Sequence, residues 1–130
     1  MADKRTIAIV EDDDGYRTAL TRLLRAAGYN PVGYSSAEDF LDDPVHEQIR
    51  CLVLDVRLGG MSGIELQQQL AASHLVPSVI FVSGHERPDT SELRKQPGYI
   101  AFIPKPITGS LLLEAVRRAI KLANQDANSQ

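Results

Sequence analysis

The sequence predicts a doubly wound α/β fold, a five-stranded parallel sheet with helices packed on both faces. Three observations carry this reading. Short, nearly continuous apolar runs recur along the chain, as strands buried on both faces require. Between them the apolar period changes to that of amphipathic helices. Strand and helix then alternate at the spacing of βαβ units, whose crossovers are right-handed.

The first run, Thr6–Val10 (TIAIV), is a strand. Asp13 or Asp14 caps the helix that follows. Its apolar stripe is Tyr16, Ala19, Leu20, Leu23, Leu24 and Ala27, and Gly28 ends it. A weak second strand, Val32–Tyr34, carries Gly33 behind Pro31 and belongs at an edge. Ser35-x-x-Glu38 and Ser62-x-x-Glu65 read as capping boxes opening the second and third helices. Between those helices lies the third strand, Cys51–Leu54 (CLVL), and after them the fourth, Ser78–Val82 (SVIFV). The segment Asp89–Gln96 has one large apolar residue, Leu93, and makes the poorest helix, which Pro97-Gly98 ends. Tyr99–Ile103 (YIAFI) is the fifth strand. Leu112, Ala115, Val116, Ala119 and Ile120 stripe a last helix begun near Thr108. The domain is expected over 1–122, and the polar residues 123–130 read as a tail or linker stub.

Composition bounds the function. A chain of 130 residues with 43% hydrophobic content makes one domain with a real core. A net charge of −3 and the lack of any basic run argue against direct nucleic-acid binding by this domain. The single cysteine, Cys51, allows neither an internal disulfide nor a cysteine-rich zinc site. No signal-peptide core is seen, and no apolar run nears the roughly 20 residues that span a bilayer. A cytoplasmic domain without membrane contact is expected.

In doubly wound sheets, ligands bind beyond the carboxyl ends of the strands. Those positions hold Glu11-Asp12-Asp13-Asp14, Asp55, Ser83-Gly84 and Pro104-Lys105-Pro106. Each alone has a plain structural reading: a helix cap for Asp13 or Asp14, a turn former for Asp55 or Ser83, a solvated loop lysine for Lys105. Together, at four strand ends, they make a cluster of carboxylates whose mutual repulsion demands a cation. Oxygen ligands with open water positions suit Mg²⁺ better than a transition metal. His46, His74 and His85 are isolated and read as surface or loop residues. Gly59-Gly60-Met61-Ser62-Gly63 lacks the spacing of a phosphate loop and reads as a turn.

These residues resemble the receiver domain of two-component response regulators. The resemblance rests on Ile9-Val10-Glu11-Asp12-Asp13, Leu52-Val53-Leu54-Asp55 and Met61-Ser62-Gly63-Ile64-Glu65-Leu66, then on Phe81-Val82-Ser83-Gly84-His85 and Phe102-Ile103-Pro104-Lys105-Pro106. It runs from about Thr6 to Leu122 and is most like the nitrogen-fixation (FixJ-type) subgroup. It implies a flavodoxin-like three-layer sandwich with strand order 2-1-3-4-5. It also implies that Asp55 is the phosphoacceptor, and that Asp12 and Asp55 hold Mg²⁺ with Glu11 acting through water and Arg57 through its backbone carbonyl. Lys105 and Ser83 would contact the phosphoryl oxygens, and Phe102 would change rotamer in the switch. The implied partners are a sensor histidine kinase or phosphotransfer protein as donor, a downstream effector or C-terminal DNA-binding domain, and a second copy on phosphorylation. The module is then a signalling switch rather than an enzyme, reporting through its fourth helix, fifth strand and last helix.

The chain departs from the family at several places. Glu11 replaces the commoner Asp, Gly59 a proline and Ser83 a threonine, and Phe102 lacks a tyrosine hydroxyl. Lys105-Pro106 is commonly cis in the family. A phosphorylation-independent pseudo-receiver is the alternative, and the intact Asp12, Asp55, Ser83 and Lys105 argue against it. An aspartyl phosphatase would need an acid at position 57, which is Arg57. A flavin or dinucleotide site would need a Gly/Thr-rich loop where four acids stand.

Overall fold

The computed structural model describes residues 5–84 and 90–128, without the side chains of 123–128. Five parallel strands form one sheet in the order 2-1-3-4-5: β1 (Thr6–Val10), β2 (Asn30–Tyr34), β3 (Cys51–Asp55), β4 (Ser78–Ser83) and β5 (Tyr99–Pro104). The helices between and after them are α1 (Asp14–Ala26), α2 (Ala37–Asp42), α3 (Gly63–Ala72), α4 (Thr90–Arg94) and α5 (Gly109–Asn128). The sheet order and the edge position of β2 are as expected.

Period-two alternation divides each central strand between two cores. Ile7, Ile9, Val53, Ile80 and Val82 face α1 and α5, where Leu20, Leu24, Leu112, Val116 and Ala119 meet them. Ala8, Val10, Leu52, Leu54, Val79 and Phe81 face the other way, onto Ala37, Phe40, Leu66, Leu70 and Leu93 of α2, α3 and α4. Burying a side chain of this size contributes about 1.5–3 kcal/mol, so the two layers clamp the sheet from both sides.

Local chemistry sets the helix ends. Asp13 is the N-cap of α1, its carboxylate accepting from Tyr16 N at 2.9 Å. Gly28, at φ +94°, turns the chain out of α1, and Tyr29 N closes back on Leu24 O at 3.1 Å. The Ser62–Glu65 capping box of α3 is present in both directions.

Several expectations need correction. The cap of α2 is Ser36, which accepts from Asp39 N at 3.0 Å, and not the Ser35–Glu38 pair. Ala37 and Phe40 are the buried positions, and bringing them inward sets the helix start one residue later. A 3₁₀ turn at Pro44–Gln48 has no precursor in the apolar pattern; it is capped by Asp43. Ala19 and Ala27 are exposed, and Tyr16 is half-buried outside both cores, so the α1 stripe is narrower than its periodicity suggests. Strands β3, β4 and β5 run on to include Asp55, Ser83 and Pro104. The backbone of α5 stays helical to Asn128, past the last large apolar residue, Leu122. The expected helix start at Asp89, like His85, lies outside the described residues.

Candidate functional site

The site forms where β1, β3 and β5 end. Glu11 follows β1 and is almost wholly buried, at 1% exposure; Asp12 beside it is exposed. Asp55 closes β3 at 4% exposure. One carboxylate oxygen from each of Glu11, Asp12 and Asp55 lies within 4.8 Å of the others. Lys105, just past β5, reaches into this group. Its Nζ stands 2.6 Å from Glu11 Oε1 and 3.1 Å from Asp55 Oδ2, while the Lys105-Pro106 bond behind it is cis.

Backbone groups fix these side chains. Asp55 Oδ1 accepts from Arg57 N at 3.0 Å, and Glu11 Oε2 accepts from Asp13 N at 3.1 Å. Glu11 Oε1 meets the Lys105 ammonium as a buried, charge-assisted pair. Gly63 sits so tightly under the site that a Cβ there would lie 2.3 Å from the Asp55 carbonyl oxygen. Its amide donates to Val56 O at 3.1 Å. Only glycine lets α3 begin this close to the end of β3.

The electrostatics follow from burial and from the imbalance of three carboxylates against one ammonium. Burial pushes the Glu11 carboxyl above its ordinary value, and Lys105 only partly opposes it. Burial also pulls the Lys105 ammonium down, but Glu11 and then Asp55 outweigh it and hold it above the usual lysine range. The ammonium is thus firmly charged, and excess negative charge remains around it. An all-oxygen set of this kind fits a hard divalent cation such as Mg²⁺. Among the described residues this is the one group of three or more acidic or thiol/imidazole ligands close enough to hold a metal.

The structure therefore gathers Glu11, Asp12, Asp55 and Lys105 at one point. Ser83 is buried at the end of β4, next to Val82, whose carbonyl accepts from Val56 N at 2.9 Å. Its own carbonyl accepts from Lys105 N at 2.8 Å. Arg57 contributes its amide to Asp55 and leaves its side chain exposed. Phe102 does not join the cluster. It pairs with Phe81 inside the sheet and packs, half-buried, on the α2–α3–α4 core.

Four residues escape a reading based on strand ends. Tyr16 places its ring 4.4 Å from Lys105 Nζ. Arg17 donates to Glu11 O at 2.8 Å and also pairs with Asp14. Glu38 accepts from Met61 N at 3.3 Å and braces the loop after β3. Gly63 is the fourth. Tyr16 and Arg17 carry one sequence signal, their place in the first helical turn after the acids.

The chain matches the response regulator receiver domain over residues 7–117. It is 40% identical to the response regulator protein TmoT of Ectopseudomonas mendocina over 119 residues, 92% of this chain and 54% of that protein. Among solved structures it is similar to FixJ-N, with TM-score 0.79 and 33% identity, covering 93% of this chain and 96% of that one. It is also similar to the response regulator StyR, with TM-score 0.87 and 38% identity, covering 95% of this chain and 63% of that one. The chain thus spans about half the length of its full-length relatives, 50% for nodulation protein W of Bradyrhizobium diazoefficiens. With a match this long, and with a 2-1-3-4-5 sheet carrying acidic strand ends, the chain belongs to the receiver-domain family of two-component response regulators, close to the FixJ, TmoT and StyR type.

Proposed function

We propose that this receiver domain takes a phosphoryl group onto Asp55 from a phosphohistidine of a sensor kinase or phosphotransfer protein. One observation carries the reading: Lys105 Nζ bridges Glu11 and Asp55 within a set of three carboxylate oxygens spanning at most 4.8 Å. An Asp55 oxygen attacks phosphorus, so an O–P bond forms as the P–N bond breaks, and the leaving imidazole takes a proton from solvent. Bound Mg²⁺ would offset charge on the transferring oxygens. Asp12 and Asp55 would hold it directly, Glu11 through water and Arg57 through its carbonyl. The Lys105 ammonium, already charged and aimed at Asp55, meets a further phosphoryl oxygen. The Ser83 hydroxyl on β4 donates to another, and Phe102 on β5 repacks in response.

The module would act as a switch that catalyses its own phosphorylation and dephosphorylation. Its α4–β5–α5 face would address an effector, a DNA-binding half beyond this chain or a second copy. No helix among the described residues is long and apolar enough to cross a membrane, and a cytoplasmic setting follows from the nature of the donor. Incubation with a small phosphodonor and Mg²⁺ tests the assignment. It should add one base-labile phosphoryl group, lost in Asp55→Asn and kept in Asp13→Asn. Undiminished labelling of Asp55→Asn would move the acceptor elsewhere.

A further inference from the structure

The Lys105 ammonium has three N–H donors, and three surfaces surround it. Two are the carboxylates of Glu11 and Asp55. The third is the face of Tyr16, whose ring centroid lies 4.4 Å away, well inside the range of cation–π attraction. Tyr16 is half-buried and belongs to neither core cluster, so packing against the sheet does not account for its ring. The lysine stem is held as well. A Cβ on Gly84 would meet Lys105 Cδ at 3.1 Å, so the glycine makes a close floor beneath it.

The three attractions differ in one respect. Glu11 and Asp55 are the oxygens that a divalent cation and a phosphoryl group would claim, and each claim weakens their hold on the ammonium. The Tyr16 ring is claimed by neither. We propose that Tyr16 is a positioning residue for phosphoryl transfer: its ring face keeps the Lys105 ammonium over the pocket when the carboxylates are engaged. The proposal rests on the reading of Lys105 as a partner of the phosphoryl oxygens. It requires an aromatic face at position 16 and makes no use of the hydroxyl.

Two measurements on the whole chain test it. In the unphosphorylated, Mg²⁺-free protein, the Lys105 ε-methylene protons should show an upfield ring-current shift. That shift should persist in Tyr16→Phe and vanish in Tyr16→Leu and Tyr16→Met. With a small phosphodonor and Mg²⁺, the initial labelling rate should fall about fivefold in the two ring-free variants, the factor that ~1 kcal/mol represents. In Tyr16→Phe it should stay within about twofold of the parent. Melting curves identify any variant that loses the fold, and either ring-free variant suffices. An unshifted Lys105 in the parent, a labelling rate indifferent to loss of the ring, or a Tyr16→Phe that behaves like Tyr16→Leu would each overturn the proposal. Labelling that survives Asp55→Asn would overturn it through its premise. That failure is distinguishable, because the ring-current shift needs no phosphoryl group.

Discussion

At β1 and β3 the polar groups of the carboxyl edge are tied to backbone. Arg57 N holds Asp55, Asp13 N and Arg17 hold Glu11, and Gly63 wedges α3 against the end of β3. At β5 and α4 the packing is thinner. Strand β5 enters with a register shift opposite Val79/Ile80, most of its residues are only half-buried, and α4 sends a single buried apolar residue, Leu93, into the core. Both regions share one sheet and one hydrogen-bonded ladder. The difference teaches where each task can sit. The proposed phosphoryl transfer needs atoms held to within a fraction of an ångström, and the carboxylates at the ends of β1 and β3 are fixed in that way. The proposed switch needs a segment whose opening is cheap, and the thin packing of α4 and β5 suits that role.

Equal truncations on the two sides should have unequal consequences. Leu24→Ala empties a fully buried site under α1 and should cost about 2–5 kcal/mol in denaturant unfolding. Leu93→Ala removes an equally buried leucine, but α4 can open while the sheet persists. It should lower global stability by less than Leu24→Ala while abolishing amide protection within α4. Equal losses of global stability would break the comparison.

Two glycines sharpen it. Alanine at Gly98 would place a Cβ 2.1 Å from Pro77 O at a φ of +80°, and at Gly63 2.3 Å from Asp55 O. Each should destabilise by about 1–3 kcal/mol. Gly63→Ala should also depress labelling of Asp55, because the displaced atom is the Asp55 backbone carbonyl oxygen. Gly98→Ala should leave labelling near normal under conditions where the protein is folded.

Cys51 reports on β3 from within. Burial pushes its thiol up to about 12 from an ordinary 9.0. Above pH 9 the unfolded chain releases this proton while the folded one keeps it. The thiol's contribution therefore declines as pH rises from 9 toward 12, by at most about 1.4 kcal/mol per pH unit. Cys51→Ala should flatten that alkaline slope relative to the parent. A disulfide-exchange reagent at pH 8 should modify Cys51 only as fast as the domain unfolds, and rapid modification would show that β3 opens locally. The smallest effect belongs to the loop between the two sides of the site. Gly59 has no left-handed φ, and its Cβ would touch nothing. Gly59→Ala should therefore stabilise by about 0.4–1 kcal/mol through the unfolded chain.

Much of this was legible in the sequence for a physical reason. Strands buried on both faces announce themselves as unbroken apolar runs, and their ends are where doubly wound sheets carry function. Glu11, Asp55 and Lys105 could thus be singled out before any contact was known. Tyr16 could not be separated from the α1 stripe, because helical periodicity places a ring on a face without saying whether sheet or ammonium lies beneath it. Glu38 looked like a helix cap because Ser35 and Ser36 are each followed three residues later by an acid. Burial of Ala37 and Phe40 chooses Ser36, and Glu38 is left to brace Met61. Gly63 gave no sign of its closeness to Asp55, which only the packing of α3 on β3 creates.

The central claim, that a rigid chemical side drives a loosely held responding side, is tested most directly by hydrogen exchange before and after phosphorylation. Exchange should change most in α4 and β5 and stay constant in β1, β3 and α1. Ser83→Ala should still accept phosphate on Asp55 but lose much of the α4–β5 response. A response centred on α2, or a Ser83→Ala protein that responds like its parent, would contradict the account.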